Sequence, residues 1–502
     1  MLQPVVGVIG IAAFAAHAQE QAGTGRSGLV WQPTLTVTET VTSNVGLDRG
    51  SNARADAVTD ISPGLRVSSR SGRIIGDVDY ALHGLVYARR SSDSDVQQAL
   101  SAKGTAEAID DWAYVDASAS ISQQSISALG TRSVDRSLAD RNRAEVSTYQ
   151  IAPYVRGPLG NFANYQLRWN WTNSNSSGSS ANSNSNEASL SLSSSAALFS
   201  RLGWSLVASR QSSEFQSQGK QDSTRVNGRL TFAVTPEFQL SAGAGRERND
   251  YRFSQQQSTT NWSVGFVWRP TERTTLDVTR DHRFFGNAYN IRFEHRTPRT
   301  VWTFVDGQDV NTTAGANGTN TLNSAFDLIY RSKASIVDPV QRMAATFTEL
   351  ANRGLLNSNL ANGGFLTNTA SIQRRQNLSL ALIGLRSTLL MSTSRNDARA
   401  ADPSQTNVGD LSNGRNLHST GLGLNLSHRL TPLSALSADL SLTKNSSTVD
   451  GRTTRLRSLT TTYTTRLSPQ VDLSVSARRT LFSSDIDPYT ESAVVANLKV
   501  QF

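Results

Sequence analysis

Apolar and polar residues alternate one for one along most of this chain, and that period of two limits what it can become. Tyr165, Leu167, Trp169 and Trp171 are separated by Gln166, Arg168 and Asn170. Val226, Gly228, Leu230, Phe232 and Val234 interleave with Asn227, Arg229 and Thr231. Trp262, Val264, Phe266 and Trp268 make another row, as do Leu436, Ala438, Leu440 and Leu442, and then Val471, Leu473, Val475 and Ala477. A strand so patterned presents one greasy face and one polar face. The segments run about ten residues, the length a tilted strand needs to cross a bilayer. Short turns such as Gly157-Pro158 and Ser468-Pro469-Gln470 alternate with long polar stretches at 173–187, 211–222, 248–259, 396–415 and 445–454. Outer-membrane barrels have this asymmetry of short periplasmic turns and longer external loops. Aromatic residues stand at strand ends, namely Trp31, Trp112, Trp204, Phe238, Trp262 and Trp268, as interfacial girdles require.

The polar rows point the same way. Arg225, Asn227 and Arg229 share one row, and Asn290, Arg292, Glu294 and Arg296 another. A protein core would bury such rows only at a large desolvation cost, whereas a wide barrel leaves them in water. The expected fold is all-β: a transmembrane antiparallel β-barrel of about 22 strands, in a range of about 18 to 24, with a short helix in a long loop. The least marked strand segments are 98–108, 188–196 and 300–308. A soluble exported sandwich or solenoid is the alternative, and it would pack its apolar rows against each other.

Residues 1–18 read as a signal peptide. The apolar run Val5–Ala16 is followed by Ala16-His17-Ala18, a small-x-small cleavage pattern, although no Lys or Arg precedes it. Residues 19–30 form a short segment and 31–502 a single barrel domain, with a helical insert at 309–369. In that insert Asp338-Pro339 suits a helix start, Val340, Met343, Phe347 and Leu350 follow at helical spacing, and Gly354 suits the end. A loop of this kind either folds inward and constricts the channel or caps it from outside. Alternating strands begin near Trp31, which leaves no room for a plug domain of more than a hundred residues and argues against a TonB-dependent receptor. The last strand ends in the row Leu498, Val500, Phe502, and a terminal aromatic there is the expected signal to the barrel assembly machinery. The expected location is the cell outer membrane, with its lipid and lipopolysaccharide as surroundings.

Composition narrows the chemistry. The chain has no cysteine, which excludes disulfide scaffolds, thiolate metal sites and cysteine nucleophiles. Its mean hydropathy is −0.36 and it has no long apolar run beyond the signal, so it is not a helical membrane protein. The net charge of +9 is nearly all arginine, which suits an anionic glycan or lipid phosphates; export removes nucleic acid as a partner. Strand parity assigns Arg168, Arg225, Arg229, Arg269, Arg292, Arg296, Arg466 and Arg478 to the lumen. Facing them are Asp77, Asp79, Asp116, Asp277, Asp281, Glu294, Asp439 and Asp472. These arginines either form satisfied ion pairs or leave an excess that attracts anions. No catalytic, cofactor-binding or metal-binding residues are expected, and no cofactor. His83 follows Asp77 and Asp79, and His282 follows Asp281, but no metalloprotease, EF-hand, phosphate-loop or dinucleotide pattern occurs. The chain reads as a non-enzyme.

Four stretches carry a resemblance: Thr59–Arg89, Asp110–Gly130 (DDWAYVDASASISQQSISALG), His295–Phe304 (HRTPRTVWTF) and Val337–Leu350 (VDPVQRMAATFTEL). They resemble a family of outer-membrane β-barrel proteins associated with the PEP-CTERM/exosortase system of Gram-negative bacteria. The resemblance implies a part in exopolysaccharide or envelope biology and supplies no catalytic residues. Together with the lumen arginines it leads to the expectation of a passive conduit or translocation component for a polar or anionic polymer, with exopolysaccharide or its export components as partners. The alternative is a non-conducting barrel that scaffolds envelope assembly partners.

Overall fold

A computed structural model describes residues 28–502 apart from 91–93, 179–180, 196–200, 217, 252–255, 315–324, 334–341, 343–345, 347–363 and 407. The signal-peptide segment lies outside the described residues. Twenty-two strands follow one another around a cylinder. They are β1 (Leu29–Thr42), β2 (Asp56–Ser71), β3 (Ile74–Tyr87), β4 (Asp95–Ile109), β5 (Ala113–Ser125), β6 (Arg143–Leu159), β7 (Ala163–Ser176) and β8 (Ser183–Ser194). Next come β9 (Leu202–Phe215), β10 (Gly219–Ala233), β11 (Phe238–Asn249), β12 (Gln257–Thr271), β13 (Thr274–Arg283), β14 (Gly286–Arg296) and β15 (Thr300–Asn311). A helix, α1 (Ala325–Ser332), precedes β16 (Ser371–Ile383), β17 (Ser387–Ala400), β18 (Asn416–Arg429), β19 (Ser434–Ser447), β20 (Thr453–Ser468), β21 (Val471–Ser484) and β22 (Tyr489–Gln501). Each strand pairs antiparallel with the next, and β1 closes the wall on β22 from Thr34↔Gln501 to Thr42↔Ala493. The weakly marked segments 98–108, 188–196 and 300–308 lie almost wholly in β4, β8 and β15.

The alternation decides which side is which. On β12 the residues Trp262, Val264 and Trp268 are 40%, 49% and 45% exposed. In the ladder they face Ala244, Ala242 and Phe238 of β11 and His282, Arg280 and Leu276 of β13. The opposite face of the same strands carries Glu247, Asn261, Thr279 and Arg283, all buried. The apolar rows therefore look outward, and among the described residues no second layer covers them. A closed wall with a greasy exterior and a polar interior is stable only in lipid. The protein is an outer-membrane β-barrel. Trp31, Trp112, Phe162, Trp268 and Trp302 are exposed at the end with the short turns, and form a girdle at the periplasmic interface.

The wall is taller than the sequence pattern suggests. Strands run from 10 residues in β13 to 17 in β6. Much of the polar sequence expected as external loop is strand, so that only 177–182, 216–218, 250–256, 401–415 and 448–452 remain as connections. Above the bilayer a strand needs hydrogen-bonding partners, not apolar side chains. Ser and Thr supply them: Thr148 meets Ser174 at 3.1 Å and Ser185 meets Ser213 at 2.9 Å. The rim is lowest at β13–β14, joined only by Phe284 and Phe285. The β12–β13 ladder stops at Trp262↔His282, while Gln257–Asn261 continue upward beside β11. On the other flank, Gln308–Asn311 rise beside β16 alone.

The expected helix at 338–354 lies outside the described residues except for Arg342 and Thr346. Both are helical, with the Thr346 hydroxyl donating to the Arg342 carbonyl at 2.7 Å. The described helix α1 lies earlier, where Phe326, Ile329 and Tyr330 have helical spacing.

Candidate functional site

The lumen is the place where this chain gathers charge, and its extracellular mouth is crossed by the chain itself. The β5–β6 connection, residues 126–142, leaves the wall and crosses to the far side of the barrel. The Ala128 carbonyl accepts from the Asn445 amide at 2.7 Å and from the Thr454 hydroxyl at 3.3 Å. The Ser137 carbonyl accepts from the Tyr87 hydroxyl at 3.0 Å, the Arg132 carbonyl accepts from the Tyr489 hydroxyl, and Ala139 N–H donates to the Val45 carbonyl at 2.9 Å. These partners belong to β3, β19, β20, β22 and the β1–β2 connection, none adjacent to β5 or β6 in the wall. A second layer comes from residues 365–370, all buried, with Leu366 N–H donating to the Ser125 carbonyl at 3.1 Å. Ala128, Leu129 and Phe365 then pack with Val408 and Leu411 of the β17–β18 connection.

Ion pairs fasten this closure. Arg478 on β21 lies between Asp135 of the crossing segment and Glu491 on β22, which it meets at 2.8 Å. Glu491 is fully buried and also accepts from the Thr42 hydroxyl at 3.0 Å. Burial pushes the Asp135 carboxyl up, but the Arg478 charge and its hydrogen bond, with those from Ser137, outweigh that and hold it below the usual carboxylate range. Asp410 behaves oppositely. It accepts from the Ser127 hydroxyl at 2.7 Å and the Ala128 N–H at 2.6 Å, yet burial dominates and pushes its carboxyl above the usual range.

His83 joins the closure, and its contacts are not those of a serine–histidine–carboxylate relay. The Ser62 hydroxyl, at 2.7 Å, and the Asp60 carboxylate, at 3.0 and 3.3 Å, meet the same ring nitrogen, Nδ1. Nε2 faces the Arg136 guanidinium of the crossing segment. A relay needs the nucleophile and the orienting carboxylate on opposite ring nitrogens. His282 looks outward, stacked on Trp262 with ring centroids 5.9 Å apart, while Asp281 looks into the lumen. Among the described residues no trio of His, Asp or Glu is placed to hold a metal ion.

No protein-family model and no curated protein matches this chain. Solved barrels do. The ferric-catecholate import receptor Fiu from E. coli K12 in its open form is similar at 7% identity and TM-score 0.48, over 93% of this chain and 81% of that one. The siderophore receptor PirA from Acinetobacter baumannii is similar at 9% identity and TM-score 0.44, over 95% of this chain and 81% of that one. For FpvA of P. aeruginosa bound to a pyoverdine the values are 9%, 0.46, 94% and 72%.

The ladder places seven of the eight sequence-assigned arginines on the face opposite the apolar rows, while Arg269 stands in the register shift between Trp268 and Thr271, and their surroundings differ. Arg168 pairs with Asp116 at 2.8 Å and lies over the Tyr154 ring. Arg296 pairs with Glu294 at 3.2 Å, Arg466 with Asp472 at 3.5 Å, and Arg225 with Glu247 at 3.4 Å. Arg478 serves the closure. Arg229, Arg269 and Arg292 make no ion pair among the described residues; Arg269 sits exposed at the periplasmic rim and Arg292 exposed in the lumen. All three are on β10, β12 and β14. Helix α1 reaches the same sector, where Arg331 meets Glu294 at 2.5 Å near the periplasmic end of β14.

The strand pattern does not single out Asp135, Arg136 or Asp410, nor the cluster in which buried Glu247 binds Arg283 at 2.8 Å while Arg283 binds Asp309 at 2.6 Å. The available signal for the first two is the break in alternation between β5 and β6, long enough to cross a mouth. Arg283 and Asp309 follow lumen parity but stand at strand ends, where parity is hardest to read.

Proposed function

We propose that this barrel is a closed-at-rest conduit for a polar or anionic polymer, opened when the β5–β6 segment undocks. The observation that carries this reading is the fastening of that segment. Ion pairs and hydrogen bonds through Asp135, Arg136 and Asp410 hold it alongside the apolar contacts, and polar contacts exchange readily for water once separated. The unpaired Arg229, Arg269 and Arg292 along one side of the lumen give a track that favours anions. The likeness to exosortase-associated barrels makes an exopolysaccharide, or a component that exports one, the candidate cargo or partner. Val494, Leu498 and Phe502 lie exposed on β22, on the lipid-facing side.

The test is single-channel recording in planar bilayers, on the whole barrel and on a variant whose residues 128–138 are replaced by a short Gly-Ser link. The intact protein is expected to open rarely, and the variant to conduct steadily with anions preferred. A variant that keeps its heat-modifiable, folded migration yet stays silent, or prefers cations, overturns the conduit. Silence together with partners recovered by crosslinking would support the scaffolding role.

A further inference from the structure

The exterior of the barrel is uneven in charge, and one cationic stretch runs along the upper edge of the wall. Across β16–β20 the ladder sets Gln376, Arg395, Thr420, Lys444 and Arg455 side by side on the outward face. Opposed side chains in such a row stand about 5 Å apart at Cβ. Arg457 lies one row nearer the membrane, level with Leu442 and Leu481. Below it come Leu424, Leu440 and Leu459, again in register. Most of the cations therefore stand on top of the apolar band, at the extracellular end, and Arg479 of β21 lies lower, level with Leu459 and donating to the Ser492 hydroxyl.

Most of this charge is unanswered by protein. Asp397 serves Arg395 at 3.1 Å and His418 at 2.5 Å. Lys444, Arg455 and Arg457 are exposed and have no carboxylate partner among the described residues. A second outward set, Arg210, Lys220, Arg246 and Arg248, stands on β9–β11, but β1–β8 differ. Among the described residues of β1–β8 the only Arg or Lys in the outward register is Arg143, which turns to the Ser133 hydroxyl and the Asp135 carbonyl.

We propose that the outward face of β16–β21 is a docking surface for a phosphorylated glycolipid of the outer leaflet. Its phosphates would sit on Lys444, Arg455 and Arg457, and its acyl chains along the leucine rows beneath. The argument is complementarity at matched depth. An outward charge is costly at mid-bilayer and tolerated at the interface, where long cationic side chains reach anionic headgroups. Arginine binds phosphate oxygens in a two-pronged geometry, which a loose counter-ion atmosphere does not need. A row of cations over a row of leucines matches a molecule that carries phosphate over acyl chains.

The test measures binding of the detergent-solubilised full barrel to bis-phosphorylated lipid A, to lipid A stripped of phosphate, and to inorganic phosphate. It is repeated on a Lys444→Glu/Arg455→Glu/Arg457→Glu variant. Expected are tight, salt-sensitive binding of bis-phosphorylated lipid A by the wild type and a loss of about tenfold or more in the triple variant. Equal affinity for the phosphate-free lipid, or an unchanged triple variant, overturns the proposal. So does inorganic phosphate binding as tightly as the lipid. If the triple variant does not assemble, Lys444→Gln and Arg455→Gln are read singly by the same criteria, and wild-type affinity that ignores salt overturns the proposal by itself.

Discussion

At the scale of single residues, the closure turns on Arg478. It is 8% exposed and lies between two carboxylates, one of them fully buried. Removing one member of a buried ion pair costs about 3–5 kcal/mol, because the partner is left charged and dry. Arg478→Ala is therefore expected to lower the urea midpoint of the detergent-solubilised barrel and to raise hydrogen exchange across 126–142; an unchanged midpoint would show that Glu491 finds another donor. The two loop aspartates give the closure opposite pH responses. The carboxyl of Asp135 is held low in the docked state, so its contribution is present above the ordinary carboxylate range and fades as pH falls below it. The carboxyl of Asp410 is held high, so docking is favoured below its docked value and weakens as pH rises through it. Acidifying from neutrality is expected first to tighten the closure and then, below the ordinary carboxylate range, to loosen it. Asp410→Asn mimics the protonated form and should abolish the first phase while leaving the second, as read from open probability against pH.

At the scale of elements, the strands were legible because lipid on one side and water on the other impose the period of two on every one of them. Even the faint segments of β4, β8 and β15 hold it, since their neighbours fix the register. The lengths were less legible. Beyond the bilayer the outward face is no longer greasy, the alternation fades, and Ser- or Asn-rich strand such as 183–187 reads like loop. The crossing segment was least legible, because its partners are scattered along the chain, some more than three hundred residues away: Ala128 meets Asn445 and Thr454. Such contacts leave no local periodicity. The absence of native cysteine allows a clean element-level test. A Ser127→Cys/Asp410→Cys pair replaces a contact of 2.7 Å, and its oxidation is expected to lock the mouth and suppress residual openings, with reduction restoring them. Openings that persist in the oxidised, crosslinked protein would place the gate elsewhere.

At the scale of the whole molecule, a cylinder of 22 strands is wide enough to need filling, and barrels of this width characteristically hold a plugged lumen. Here inward-turned connections and α1 occupy part of it. Closure of the wall joins β22 to β1, with Phe502 N–H donating to the Pro33 carbonyl at 3.0 Å.

The uneven rim has a consequence of its own. The hairpin at Phe284-Phe285 stops short while its flanks rise, on one side by the five residues 257–261, or about 16 Å of strand. The two rings stack edge to face at 5.0 Å, and Tyr251 leans on Phe284 at 5.6 Å, so aromatic rings stand in the gap. Directly behind that aromatic sill lie Arg283, Glu247 and Asp309. The cylinder thus has a doorstep, and a bulky solute outside the cell would reach the charged interior by the shortest route if it came in sideways across it.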